Sequence, residues 1–88
     1  MFKDVVQFLE ENKFLLPLIE EAEQKVFSIF GQNQDIRLDL LDNKLYLVIY
    51  TELSVKEAME LEKKLDEEWW LSNIHRANGK FNIIVEYV

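Results

Sequence analysis

Between Asp35 and Leu40, the apolar residues Ile36, Leu38 and Leu40 alternate with Asp35, Arg37 and Asp39, and Leu45 to Thr51 forms a second, more continuous apolar run. Alternation with period two marks half-buried strands. A two-residue turn at Asp42-Asn43 sets Leu40 opposite Leu45, Leu38 opposite Leu47 and Ile36 opposite Ile49, all on one face. Tyr46, Val48 and Tyr50 then point to the other face. A last strand is expected from Lys80 to Val88, with Phe81, Ile83, Val85 and Tyr87 on one side and Ile84 and Val88 on the other.

Elsewhere the period is helical. Asp4 with Gln7 three residues on resembles a capping box, and Phe2, Val5, Val6 and Leu9 follow helical spacing, so a short first helix is expected to about Asn12. Pro17 is best tolerated in a first turn, which favours a helix restarting near Leu16 or Pro17 over one kinked helix. In this second helix Leu18, Ile19, Ala22, Val26, Ile29 and Phe30 fall within about 120° of one another, a core-facing stripe. Gly31 sits where a left-handed C-terminal cap belongs. Ser54 with Glu57 opens a third helix that runs to about Leu71, with Leu53 placed to pack back as a staple. The Asn78-Gly79 pair signals a turn and suggests a short additional strand over Asn73 to Arg76.

The order ααββα(β)β predicts an α+β fold: a two-layer sandwich with an antiparallel sheet of three to four strands and helices packed on one face. A crossover through the third helix is expected to bring the last strand beside the first. Eighty-eight residues suffice for one core, so residues 1–88 form a single domain. Its stability should be of order 5 kcal/mol, a scale on which surface buried by association matters.

Charge narrows the partners. Seventeen acidic against ten basic residues leave a net charge of −7, and no basic stripe is present, which weighs against nucleic acid. A basic protein surface suits the chain better. The absence of cysteine removes disulfides, thiolate metal sites and thiol nucleophiles. With no apolar run approaching the ~20 residues of a membrane span and no signal sequence at Met1, a cytoplasmic protein with no membrane contact is expected.

The candidate sites follow from these placements. An outward sheet face carrying Tyr46, Val48, Tyr50, Ile84 and Val88 is too apolar for water and reads as a homodimer or protein-partner interface, unless the first helix covers it. Its tyrosines also suit the stacking of single-stranded bases, although Asp35, Asp39 and Glu86 share the face with only Arg37 and Lys44 opposing them. In the third helix, Ala58, Leu61, Leu65 and Trp69 form one side of an apolar arc and Val55, Met59 and Trp70 the other, with Glu62 and Asp66 projecting between. Splitting of the arc, half on the sheet and half near the surface, accounts for the two acids, which are then solvated or paired to Arg37, Arg76 or Lys80. A general acid/base pair or a partial hard-cation site is the sharper reading, with no third ligand identifiable.

Adjacent helical residues point about 100° apart, so Trp69 is expected in the core and Trp70 nearer the edge, either ordinarily part-buried, which is favoured, or placed to anchor a partner. His75-Arg76 is the only locally basic stretch and suits an anion. No nucleophile with an oriented base, phosphate loop or H-E-x-x-H motif occurs. The expectation is therefore a non-enzymatic interaction domain with no catalytic residue, cofactor or metal assigned; a small ligand-binding protein or enzyme using Glu62, Asp66, His75 and Arg76 is the alternative.

Overall fold

The computed structural model describes residues 4–88; Phe2, expected on the first helix, lies outside them. Helix α1 spans Val5–Glu11, and the Asp4 side chain caps it by accepting from the Gln7 amide at 2.7 Å. Helix α2 spans Leu15–Phe30 with Pro17 in its first turn, as the restarted helix requires. Its stripe buries Leu18, Ile19, Ala22, Val26 and Phe30, with Ile29 packed beside them. Gly31 ends it at φ 102°, ψ 158°, more extended than a left-handed cap but still at a φ that favours glycine.

Strands β1, Asp35–Leu41, and β2, Lys44–Thr51, pair antiparallel in the expected register, Leu40 against Leu45, Leu38 against Leu47 and Ile36 against Ile49. The turn puts Asp42 at φ 51° and Asn43 at φ 62°. Two consecutive positive φ values are what a tight hairpin with native twist needs, and Asp and Asn tolerate them better than most residues.

The two-layer α+β architecture is as expected, but the sheet is mixed. Strand β3, Phe81–Tyr87, runs parallel to β2 and lies beside it, giving the order β1-β2-β3. The expectation of an antiparallel sheet with the last strand beside the first is therefore corrected. The physical reason lies in the two strand patterns: β1 alternates with charge and suits an edge, whereas the unbroken apolar run of β2 suits a centre with neighbours on both sides.

The connection from β2 to β3 is helical almost throughout. Helix α3, Val55–Leu65, starts at Ser54, whose hydroxyl accepts from the Glu57 amide at 3.2 Å while Leu53 packs on the core. A π-helical turn, Asp66–Trp70, follows, then a short helix α4, Leu71–Asn73, and a 3₁₀ turn, Ile74–Ala77. No fourth strand forms at 73–76. Helical structure persists because Asn73 Nδ2 donates to the Trp69 carbonyl at 2.8 Å and Ala77 buries into the core. Asn78, at φ 49°, and Gly79, at φ 73°, then turn the chain into β3.

All helices that join the core do so on the face carrying Leu45, Leu47, Ile49 and Phe81. Helix α1 belongs to this layer, because Phe8 is fully buried in the same cluster. Buried Asn12 ties its end to the turn before β3 by accepting from Lys80 Nζ at 2.9 Å while donating to the Phe8 carbonyl. The outward face is thus not covered by α1. Among the described residues no helix is long and apolar enough to cross a membrane.

Candidate functional site

Strand parity builds the outward face as three short columns. Asp35, Tyr50 and Glu86 share one row, Arg37, Val48 and Ile84 the next, and Asp39, Tyr46 and Asn82 the third. Val48 at the centre is only 1 % exposed and yet stands apart from the main core cluster. It is sealed within the face itself, with Arg37 and Ile84 as cross-strand neighbours and Tyr46 and Tyr50 two residues away on the same side. Tyr46, Tyr50 and Ile84 are half-buried, while Val88 beyond the strand is 76 % exposed.

The tyrosine faces are already in use. The Arg37 guanidinium stacks 5.1 Å from the Tyr50 ring centroid and Lys44 Nζ lies 5.6 Å from that of Tyr46. Such contacts hold a cation and an aromatic ring in a fixed pose. A base stacking on the same side of either ring would have to displace its cation. The Tyr50 hydroxyl is pushed above its ordinary pKa, first by partial desolvation and then by Asp39, Glu86 and Asp35, with Arg37 opposing. At one end the face opens into a groove of about 720 Å³ lined by Gln34, Asp35, Arg37, Tyr50, Glu52 and Val88, among others.

The apolar arc of α3 splits. Ala58 and Leu65 are buried and Leu61 packs beside them, whereas Val55 and Met59 stay exposed. Glu62 and Asp66 line a smaller cleft of about 290 Å³ between α3, the π turn and β3, with Leu65, Trp70, Leu71, Ile74, Ile83 and Val85 around them. Desolvation raises both carboxyls above their ordinary pKa values, with Asp66 adding to the shift of Glu62 and Glu67 to that of Asp66. Neither carboxylate has a hydrogen-bond or ion-pair partner among the described residues. Leu71 and Ile74, 61 % and 46 % exposed, also line this cleft, although the sequence pattern does not single them out.

Trp70 is not an exposed anchor. It is 4 % exposed, stacked on Trp69 at 5.7 Å between centroids and edge-on to Phe81 at 5.8 Å. The π turn is the reason: the Leu71 amide reaches back to the Asp66 carbonyl, widening the turn so that both indoles enter the core.

The His75-Arg76 pair also divides. Arg76 donates from both terminal nitrogens to Glu21, at 3.1 and 2.6 Å, and to Asn73 Oδ1 at 3.0 Å, so its charge joins the 3₁₀ turn to α2. This bond lowers the Glu21 pKa and raises that of Arg76. His75 is exposed, and neither residue lines the cleft of Glu62 and Asp66. The four polar candidates are therefore not united in one pocket. Among the described residues no group of three or more His, Cys, Asp or Glu side chains could hold a metal ion. Comparison of the chain with protein-family models, with curated proteins and with solved structures returns no match.

Proposed function

We propose that this protein is a non-enzymatic interaction domain that self-associates through its outward sheet face. The carrying observation is that face: an aromatic surface outside the helical layer whose charges nearly balance, on a chain of net charge −7. Three carboxylates, Asp35, Asp39 and Glu86, surround the tyrosines together with Arg37 and Lys44. A two-fold interface places the same patch on both partners, so it must complement itself. A face of mixed sign does so, whereas the acidic excess that would repel a second copy is carried elsewhere.

Tyrosine and arginine are enriched at interfaces, where rigid, amphipathic surface is buried at low entropic cost. A cytoplasmic setting suits a cysteine-free chain of this kind. Equilibrium sedimentation is the test. The wild-type chain should approach a dimer at tens of micromolar concentration, and Tyr46→Glu or Tyr50→Glu should return it to monomer with unchanged circular dichroism. A wild-type monomer at that concentration would overturn the reading. Association that survives both substitutions would move the interface elsewhere.

A further inference from the structure

Among the described residues no strand pairs with the outer edge of β3, and this edge borders the Glu62/Asp66 cleft. We propose that it receives an extended basic segment of a protein partner as an added strand, with Lys or Arg side chains reaching Glu62 and Asp66.

Parity in the ladder identifies the free backbone groups. The Leu45 amide donates to the Lys80 carbonyl at 2.9 Å and the Val88 amide to the Thr51 carbonyl at 3.1 Å. Even-numbered amides and carbonyls of β3 therefore face β2, and the odd-numbered ones point outward. The Val85 and Tyr87 amides and the Phe81, Ile83 and Val85 carbonyls form an open row. Only the Ile83 amide is occupied, donating to the neighbouring Asn82 Oδ1 at 2.9 Å, a local bond that a new strand would exchange. A row of unpaired strand groups is a template for strand addition.

Chemistry at the cleft selects the occupant. An added strand alternates its side chains, and those on the helical side meet Leu71, Ile74, Glu62 and Asp66. Lys and Arg fit this order, because their apolar stems cover exposed Leu71 and Ile74 while their charges reach the carboxylates. Both carboxyls are partly desolvated and, among the described residues, neither is paired with a cation, so an arriving Lys or Arg supplies one. A second copy of this chain is disfavoured, since pairing two β3 edges would bring four of these carboxylates together on a chain of net charge −7.

The test uses an alternating lysine–valine octapeptide as the probe and an alternating glutamate–valine octapeptide as its control. Fluorescence anisotropy on the full chain should detect binding of the lysine peptide only, weakening with salt. Glu62→Gln with Asp66→Asn should reduce the affinity about tenfold. Val85→Pro, which removes an outward amide at an edge position where proline is tolerated, should abolish it. Amide shift mapping on the wild-type chain needs no variant and should place the perturbation on β3, Glu62 and Asp66. Equal binding of both peptides, no binding at low salt, or perturbations centred on Arg37, Tyr46 and Tyr50 would overturn the proposal. Because Tyr46→Glu leaves this edge untouched, it should bind the peptide as wild type does, which separates this result from the fate of the dimer.

Discussion

On the outward face of the sheet Val48 is closed over by its neighbours and each tyrosine holds a cation, whereas on the outer edge of β3 backbone amides and two desolvated carboxyls stand without partners. Both surfaces belong to one three-stranded sheet. The face is finished by side chains that alternate along each strand, so neighbours only one row away can satisfy one another. The edge has no such neighbours, because among the described residues no strand pairs with the outer side of β3. The face is therefore a preformed surface, as the proposed self-association requires, while the edge carries unpaired backbone groups, as the proposed strand addition requires.

Four tests break or sharpen this contrast. Trp70→Ala should have the largest effect, about 3–5 kcal/mol of unfolding free energy, because the ring is shared between the core and the wall of the edge cleft. Urea denaturation measures it, and a cost below about 1 kcal/mol would mean that the indole is dispensable to the core.

Val48→Thr comes next. It preserves shape but adds a hydroxyl to a sealed site, for an expected loss of about 1–3 kcal/mol, whereas Val88→Thr on the exposed end of the same face should stay within about 0.5 kcal/mol. Equal melting temperatures for the two variants would show that the face is open to water at its centre.

The hairpin that builds the face is tested at Asn43. Asn43→Val should cost about 1–2 kcal/mol, because a β-branched side chain is strained at φ 62°. Asn43→Gly should match or exceed the wild type in the same thermal melt.

The smallest effect belongs to the edge. Glu62 and Asp66 have folded-state pKa values above their ordinary ones, so the folded chain holds these protons more tightly than the unfolded chain. Their contribution is greatest below the ordinary carboxyl pKa values and is lost as pH rises through the raised ones. Replacement by Gln and Asn should therefore give a chain whose advantage over wild type grows across that window and then levels, with relief of the like-charged pair adding about 0.2–0.5 kcal/mol. Denaturation midpoints across the acidic range measure this difference. An advantage that shrinks with rising pH would place the two carboxylates beside a cation.

What could be read directly were the features set by local chemistry. The capping residues Asp4 and Ser54, the α2 stripe and the β1–β2 register each depend on residues a few positions apart, and all are present. The outward position of Tyr46, Val48 and Tyr50 followed from that register alone. The π turn was not legible, because widening one helical turn is favoured only once two indoles have a core to enter beside Phe81. Nor was the role of Arg76, whose partner Glu21 is 55 residues away in sequence.

By itself the sequence determined that this is a two-layer α+β chain with an apolar, tyrosine-bearing sheet face on an acidic body. Periodicity and charge are local properties and survive any topology. Tertiary structure decided that β3 lies beside β2: the apolar run of β2 makes it the better centre, but the amphipathic pattern of β3 itself is compatible with either neighbour. That choice left the β3 edge beside the cleft of Glu62 and Asp66, and it is this cleft that distinguishes the border from the one at β1.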